Sequence, residues 1–251
     1  MMLIDTHSHL NFKDFENDLD GVIGRCVNED VWVINAGSQY ETSKKAVEIA
    51  KKNKTMFAAI GLHPIHARDD FRIEDYRSLA MSEKVVAIGE IGLDRYKDYG
   101  RYIERQKEIF LQQLDLAKEL NLPVIIHCRK AHKEIIEILA EYKLQGVIHC
   151  FAGIWEEAEQ YLAMGFYLGF NGIMYKLDLK EVIEKTPLER ILIETDSPYL
   201  TPLPAVALAK ADRNEPVFVK YIAQEIAKIK NISFKEVAIS TTQNAKNLFS
   251  V

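Results

Sequence analysis

Two histidines separated by a single residue carry the clearest chemical signal in this chain. His7 and His9 follow the apolar residues Leu3 and Ile4 in a run that predicts a β-strand. Because side chains alternate along a strand, residues two apart share a face, and both imidazoles are predicted to point the same way. Imidazoles held side by side are typical ligands of a divalent metal ion. The pair therefore predicts a metal site at the end of the first strand.

Four further potential ligands lie near the C-terminal ends of other short apolar runs. They are Glu90, His127, His149 and Asp196. Any one of them alone would usually be a hydrogen-bonded core residue or a helix cap. Six such groups gathered at one point would be costly without a cation, so the set predicts a metal centre. Imidazole and carboxylate ligands together favour zinc, manganese or iron over calcium.

Six ligands exceed what one tetrahedral ion needs, which favours a centre with two divalent ions. The predicted division is His7, His9 and Asp196 on one ion, His127 and His149 on the other, and Glu90 bridging them. Two neighbouring ions activate a shared hydroxide and stabilise both the attacking and the leaving oxygen at phosphorus. The site therefore favours hydrolysis of a phosphoester.

Four other residues are predicted to support this centre. Asp5 and Glu194 each precede a ligand by two residues, so alternation aims them inward at a deeper level, where they would orient ligand imidazoles. Bonding of these acids to the backbone is the equal alternative. His63 ends the third apolar run and is predicted to contact a substrate phosphate or the leaving oxygen, or else to cap a turn. Arg129 begins a helix, where the macrodipole disfavours positive charge, so it is predicted to bind an anion.

The elements that must position these groups alternate regularly along the chain. Eight short apolar runs predict buried strands, and segments with helical spacing lie between them, the clearest over residues 102–120. The predicted strands span residues 3–9, 31–37, 56–62, 85–91, 123–128, 146–151, 166–172 and 191–196. This alternation predicts an α/β fold, a TIM (β/α)₈ barrel with parallel strands. A doubly wound open sheet is the runner-up, weakened because no glycine-rich phosphate loop follows a strand.

The chain continues beyond the eighth predicted strand. Residues 215–229 and a segment beginning at Ser233 predict two additional C-terminal helices, the second opened by a capping box of Ser233 and Glu236. Residues 201–212, rich in proline and alanine, predict a loop over the barrel mouth. No linker or low-complexity segment is visible, so residues 1–251 are predicted to form a single domain.

Bulk properties narrow the class of protein. No apolar run is long enough to cross a bilayer, and no secretory signal is recognisable, so we predict a cytoplasmic protein with no membrane partner. Three cysteines without CxxC spacing indicate reduced thiols, not a disulfide framework. The net charge of −5 is unusual for a protein that binds nucleic acid, so bound metal ions would have to supply much of the attraction.

The combined motifs resemble the TatD family of metal-dependent deoxyribonucleases over nearly the whole chain. The motifs are His7-Ser-His9, Gly-Leu-His63-Pro, Gly-Glu90-Ile-Gly-Leu-Asp94, His127-Cys-Arg129, His149-Cys-Phe-Ala-Gly and Glu-Thr-Asp196-Ser-Pro-Tyr. The resemblance implies a TIM barrel of the metal-dependent hydrolase superfamily and DNA hydrolysis with magnesium or manganese, often 3′ to 5′ exonucleolytic. The family's metal positions match the six predicted ligands one by one. Two departures are residues 205–211, where the family usually has an Arg-Gly pair, and Lys130, where it usually has an acid.

The leading hypothesis is a cytoplasmic deoxyribonuclease that uses two divalent ions, Mg²⁺ or Mn²⁺ in function with Zn²⁺ possible, on single-stranded or frayed DNA. Asp196 would bind metal and accept the nucleophile's proton, Glu90 would hold the ions, and His63 and Arg129 would position the scissile phosphate. One alternative keeps the metals but makes the protein an amidohydrolase, lactonase or D-aminoacyl-tRNA deacylase. Another is a non-enzymatic scaffold with a purely structural metal. The sequence predicts no oligomeric state.

Overall fold

Eight parallel strands, each hydrogen-bonded to the next in chain order, form the frame of this protein in a computed structural model that describes residues 1–202 and 213–251. The strands are β1 (Leu3–Ser8), β2 (Val31–Ala36), β3 (Met56–Ile60), β4 (Val85–Asp94), β5 (Val124–Arg129), β6 (Gly146–Ile148), β7 (Tyr167–Phe170) and β8 (Ile191–Ile193). Strands in this order with helices between them make the predicted TIM barrel, which is confirmed.

Helices connect the strands and extend beyond the last one. In the described part of the chain they are α1 (Leu19–Asn28), α2 (Tyr40–Lys52), α3 (Ile73–Ala80), α4 (Ile103–Leu120), α5 (His132–Ala140), α6 (Trp155–Ala163), α7 (Lys180–Lys185), α8 (Val219–Lys230) and α9 (Phe234–Phe249). Helices α3 and α7 were not predicted, because 8 and 6 residues are too few to display a helical period. The two C-terminal helices are confirmed, and Ser233 and Glu236 form the predicted capping box of α9.

Two apolar clusters stabilise the frame. The outer cluster lies between the strands and the helices and includes Leu3 and Phe110. The inner cluster fills the barrel and includes Ile4, together with Leu248 and Phe249 of α9. Helix α9 thus contributes to the barrel core, and it also packs against β1 and β8. The opposite end of the barrel, where the strands end, is left for polar side chains.

The first and last strands meet through side chains and loop residues instead of a regular ladder. The fully buried Asp5 accepts hydrogen bonds from the backbone N–H of Thr195, at 2.8 Å, and from its hydroxyl, at 2.6 Å. The Asp196 N–H donates to the His7 carbonyl at 2.8 Å. Ser8 Oγ lies 2.8 Å from Ser197 Oγ, and the two residues form an isolated parallel bridge. We call this region the closing seam.

A bulge in β1 changes which side chains face the barrel interior. Leu3 packs in the outer cluster and Ile4 in the inner one, so strict alternation would turn Ser8 inward and His7 outward. Instead, three residue steps from Asp5 to Ser8 oppose two steps on β2. The extra residue reverses the alternation and brings His7 to the interior.

A second bulge has the same effect in β4. Three residue steps from Ile88 to Ile91 oppose two on β5. Ala87 lies in the inner cluster, yet Ile91 lies in the outer one, so the phase has reversed between them. Glu90, which strict alternation from Ala87 would turn outward, therefore faces the interior.

No helix among residues 1–202 and 213–251 is long and apolar enough to cross a membrane. The cytoplasmic location stays a prediction. The predicted loop over the barrel mouth lies outside the described residues from position 203 onward, as does the departure at 205–211.

Gly92 allows close contact between β4 and β5. Its φ is +146°, and a Cβ there would lie 1.9 Å from the His127 carbonyl oxygen. We expect Gly92→Ala to lower the free energy of unfolding by about 3 kcal/mol, because overpacking and backbone strain add. Urea denaturation measures the change. Gly24→Ala in α1, where a Cβ meets nothing within 4 Å, should instead raise stability by about 0.5 to 1 kcal/mol. Equal effects at the two positions would contradict this explanation.

Candidate metal centre

The carboxylate of Glu90 lies between two sets of histidines at the end of the barrel where the strands finish. Its Oε2 is 3.3 Å from His7 Nε2 and 3.9 Å from His9 Nε2. Its Oε1 is 2.8 Å from His127 Nδ1 and 3.4 Å from His149 Nε2. His63 Nε2 also lies 3.2 Å from Oε1, so each oxygen of this one side chain faces a different set of imidazoles.

Asp196 completes the first set. Its Oδ1 lies 3.3 Å from His9 Nε2 and 3.8 Å from His7 Nε2. The residue follows β8 with a φ of 57°, in the left-handed region that non-glycine residues seldom occupy. The fold thus brings all six residues predicted as ligands together. Three groups have ligand atoms within 4.8 Å of one another, namely His7, His149 and Asp196; His7, His9 and Glu90; and His63, Glu90 and His127.

In His9 and His63, the hydrogen bond at Nδ1 determines whether Nε2 presents a lone pair or a proton to the centre. His9 Nδ1 donates to the Ala36 carbonyl at 2.9 Å, so its Nε2 is free to accept or to coordinate. His63 has the opposite arrangement, because its Nδ1 accepts the Ile65 N–H at 3.1 Å. The neutral ring of His63 must then carry its proton on Nε2, which lies 3.2 Å from Glu90 Oε1. His63 is a hydrogen-bond donor to the centre, not a ready metal ligand.

Glu194 lies behind the ligands, where it contacts one of their rings. Its Oε1 is 2.8 Å from His149 Nδ1 and accepts hydrogen bonds from the Cys150 N–H, at 2.7 Å, and from Asn171 Nδ2, at 2.9 Å. Gly169 leaves room for this carboxylate, since a Cβ there would lie 2.6 Å from Glu194 Oε2. Glu194 therefore lies where it can orient the His149 ring, and that role stays a prediction.

Asp5 lies elsewhere. Its bonds are to Thr195 and to the His7 backbone N–H, at 3.3 Å, and not to a ligand imidazole. The prediction that alternation aims Asp5 inward is wrong, because the bulge in β1 falls between Asp5 and the histidines. Asp5 is the buried, backbone-bonded acid that was the alternative, and it belongs to the closing seam.

Asp94 occupies an orienting position that the sequence analysis missed. Its Oδ2 lies 3.3 Å from His127 Nε2, and its Oδ1 accepts the Tyr96 N–H at 2.7 Å. Asp94 follows Glu90 by four residues on β4, so the two share a strand face, and this spacing could have identified it. His127 therefore has a carboxylate at each ring nitrogen.

The charges of the cluster are strongly coupled by burial. Burial opposes ionisation of Glu90, but His63, His149 and His7 hold its pKa well below the ordinary value. Burial likewise opposes the charged form of His149, yet Glu194 and Glu90 raise its pKa to about 10. In contrast, burial lowers the pKa of His63 to about 4. Positive charge therefore stabilises the buried carboxylates, and a divalent ion supplies it. Such an ion also has coordination sites that imidazole nitrogens can occupy. The donor set fits such ions.

A cavity of about 910 Å³ opens onto the centre. Its lining includes Tyr96, Arg129 and Lys130, together with apolar and aromatic side chains such as Ile173 and Tyr199. Arg129 lines the cavity, but it ends β5 and does not begin a helix, because α5 starts at His132. Its role in substrate binding stays a prediction. This volume is at the upper end of the range for small-ligand pockets, which is about 300 to 1,000 Å³.

Comparison with known proteins agrees with the geometry. The family model described as TatD related DNase matches residues 4–250. This chain belongs to the TatD family. It is 43% identical over 260 residues to the uncharacterized metal-dependent hydrolase YabD of Bacillus subtilis, with 100% of each chain covered. It is 34% identical over 260 residues to the 3′-5′ ssDNA/RNA exonuclease TatD of Shigella flexneri, with 99% of each covered.

A solved structure gives the same answer for the fold. The crystal structure of YjjV, a TatD homologue from Escherichia coli K12, matches with a TM-score of 0.91 and 28% identity, and covers 99% of this chain and 98% of that chain. The resemblance identified from the motifs is confirmed. The protein is a TatD-family metal-dependent hydrolase with clusters of histidine and carboxylate side chains that could hold its metal ions.

The contact between Glu194 and His149 predicts an effect on metal affinity. Glu194→Gln keeps the size of the side chain but removes the charge that faces Nδ1, so we expect metal affinity to fall about 10- to 100-fold. Isothermal titration calorimetry, with Mn²⁺ added to protein that a chelator has freed of metal, measures this affinity. Glu189→Gln, at an exposed acid before β8, is the matched control and should leave affinity within about twofold of the wild type. Equal affinity of the Glu194→Gln variant and the wild type would show that this contact does not tune the centre.

Proposed function

We propose that this TatD-family protein is a deoxyribonuclease that hydrolyses phosphodiester bonds with two divalent metal ions. The observation that carries the proposal is the position of Glu90, whose two oxygens face separate sets of histidines. A carboxylate placed in this way is suited to bridge two ions. Two-metal centres are widely used for displacement at phosphorus.

The proposed division of ligands is the one that the sequence predicts. His7, His9 and Asp196 would hold one ion, His127 and His149 the other, and Glu90 both. Mg²⁺ or Mn²⁺ bound there would supply an activated water and neutralise the charge that develops on the phosphate. Glu194 and Asp94 would fix the orientation of His149 and His127.

Asp196 is the proposed general base. It is the more open of the two central acids, with 15% of its side chain exposed against 5% for Glu90, and would accept the proton of the attacking water. Burial opposes its ionisation, but His9, His149 and His7 hold the pKa of Asp196 below the ordinary value, so it is a base at neutral pH.

His63 and Arg129 would position the phosphate. The Nε2–H of His63 points toward the centre and would donate a hydrogen bond to a phosphate oxygen or to the leaving oxygen. The guanidinium of Arg129 on the cavity wall offers a fork of donors that matches phosphate geometry.

The proposed substrate is single-stranded or frayed DNA, degraded from 3′ to 5′. Relatives that share 34% identity over nearly the whole chain are named 3′-5′ ssDNA/RNA exonuclease, which supports a nucleic-acid substrate and this polarity. The lining of the cavity also includes apolar and aromatic side chains beside the cationic ones. Exposed bases of a single strand stack on such surfaces, whereas paired bases do not reach them.

Metal reconstitution tests the activity. We expect chelated protein to release no nucleotides from a 5′-labelled single-stranded oligonucleotide, and Mg²⁺ or Mn²⁺ to restore a ladder that shortens from the 3′ end. Asp196→Asn should lower kcat by about 100-fold or more, since general-base catalysis contributes this much. Thermal denaturation verifies that the variant is folded. Reloaded protein that hydrolyses a lactone or D-aminoacyl-tRNA but no DNA would show that the function is the alternative one.

The tautomer of His63 gives a second test. We expect His63→Ala to lower kcat on the oligonucleotide about 10- to 100-fold while the metal content stays that of the wild type, because Nε2 carries a proton and does not coordinate. Elemental analysis and single-turnover kinetics measure the two effects. A variant that lost one equivalent of metal would identify His63 as a ligand.

A further inference from the structure

Three cationic side chains surround one tyrosine on the rim of the cavity. The Arg129 guanidinium carbon lies 3.9 Å from the centre of the Tyr96 ring, Lys97 Nζ lies 5.1 Å from it, and Lys130 Nζ lies 5.3 Å from it. We call these four residues the Tyr96 cluster. Positive charges held this close repel one another, and the ring quadrupole offsets only part of that repulsion.

No described residue forms an ion pair with the three cations of the Tyr96 cluster, although acids lie nearby. Glu134 pairs instead with Arg95, and Asp98 pairs with Arg101. The chain carries a net charge of −5, so a group of unpaired cations is not a product of excess basic residues. Arg129 and Lys130 line the cavity together with Tyr96, so the group provides a local site for negative charge there.

The backbone also holds the two lysines in an unusual conformation. Lys97 has a φ of 53° and Lys130 a φ of 57°, both in the left-handed region that favours glycine. Residues in such conformations tend to occur at ligand-binding positions, where the direction of a side chain matters. Both lysines belong to the one cluster, Lys97 in the segment after β4 and Lys130 directly after β5.

Strand pairing places Arg129 of the Tyr96 cluster two residues from a proposed metal ligand. Arg129 follows His127 by two residues on β5 and pairs with Asp94, and the Arg95 N–H donates to the Arg129 carbonyl at 2.9 Å. Two residues of an extended strand span about 7 Å. That distance is comparable with the separation of successive phosphates in an extended nucleic-acid strand.

We propose that the Tyr96 cluster is a subsite for the phosphate next to the scissile one, so that the protein selects oligonucleotides over small phosphodiesters. This inference rests on the proposed nuclease function and specifies its substrate class. The two lysines would contact the neighbouring phosphate, while Tyr96 would hold the Arg129 guanidinium where it positions the scissile one. Binding of a polyanion would also relieve the repulsion among the three cations.

Two lysines three residues apart provide a matched test. Lys130→Gln removes a charge from the cluster, and Lys133→Gln removes an exposed charge that lies beside Glu137 instead. We expect Lys130→Gln to raise KM for a single-stranded oligonucleotide about 3- to 10-fold at low salt and to reduce the slope of log KM against log salt by about 1. Lys133→Gln should change KM by less than about twofold, because charges away from the strand contribute little.

The chemistry of the subsite requires a difference between substrates. Bis(p-nitrophenyl) phosphate has one phosphate only, so Lys130→Gln should raise KM for the oligonucleotide by a larger factor than KM for this compound. Equal increases in KM for both substrates, or equal effects of the Lys130 and Lys133 variants on KM for the oligonucleotide, would overturn the subsite.

Binding separates failure of the subsite from failure of the nuclease function. Fluorescence anisotropy of a labelled oligothymidylate in EDTA measures the subsite without turnover. We expect Lys130→Gln and Tyr96→Leu to weaken this binding and Lys133→Gln to leave it unchanged, even if the wild type hydrolyses no phosphodiester. Wild-type binding that neither cluster variant weakens would overturn the proposal, as would equally effective competition by an acidic peptide of the same charge.

Discussion

The fold of this protein converges on one buried carboxylate that cannot exist there alone. Glu90 is 4% exposed, and an isolated charge so placed would be prohibitively costly. The ionised form of Glu90 depends on imidazoles that lie at or just after the C-terminal ends of β1, β3, β5 and β6. The strand order of the barrel is therefore also an electrostatic requirement, because moving one strand would remove a partner from the central charge.

Much of this arrangement could be predicted from the sequence because two simple rules hold along most of the chain. Alternation of strands and helices identifies a barrel, and active groups in a barrel lie at the C-terminal ends of strands. On β5 and β6 strict alternation also holds, since Ile125 and Val147 line the interior and His127 and His149 follow them on the same face. There the sequence pattern alone is sufficient to position a ligand.

The pattern fails where the register between strands shifts. Bulges in β1 and β4 reverse the alternation just before His7 and Glu90, and a bulge depends on how two distant segments pair. The same shift explains why Asp5 lies in the closing seam and not beneath the metal ligands. Spacing could have identified Asp94 but not its contact with His127, and the cation group around Tyr96 required the pairing of β4 with β5.

The closing seam has a consequence for the biosynthesis of the protein. His7 and His9 leave the ribosome well before Asp196, and the Thr195 hydroxyl and amide that bond to Asp5 follow Asp5 by 190 positions of the chain. A nascent chain at that stage thus contains His7 and His9 but lacks Asp196, which lies beside them in the folded protein. The complete centre can assemble only once the last strand has been made, so an unfinished polypeptide lacks the finished enzyme's full chemistry.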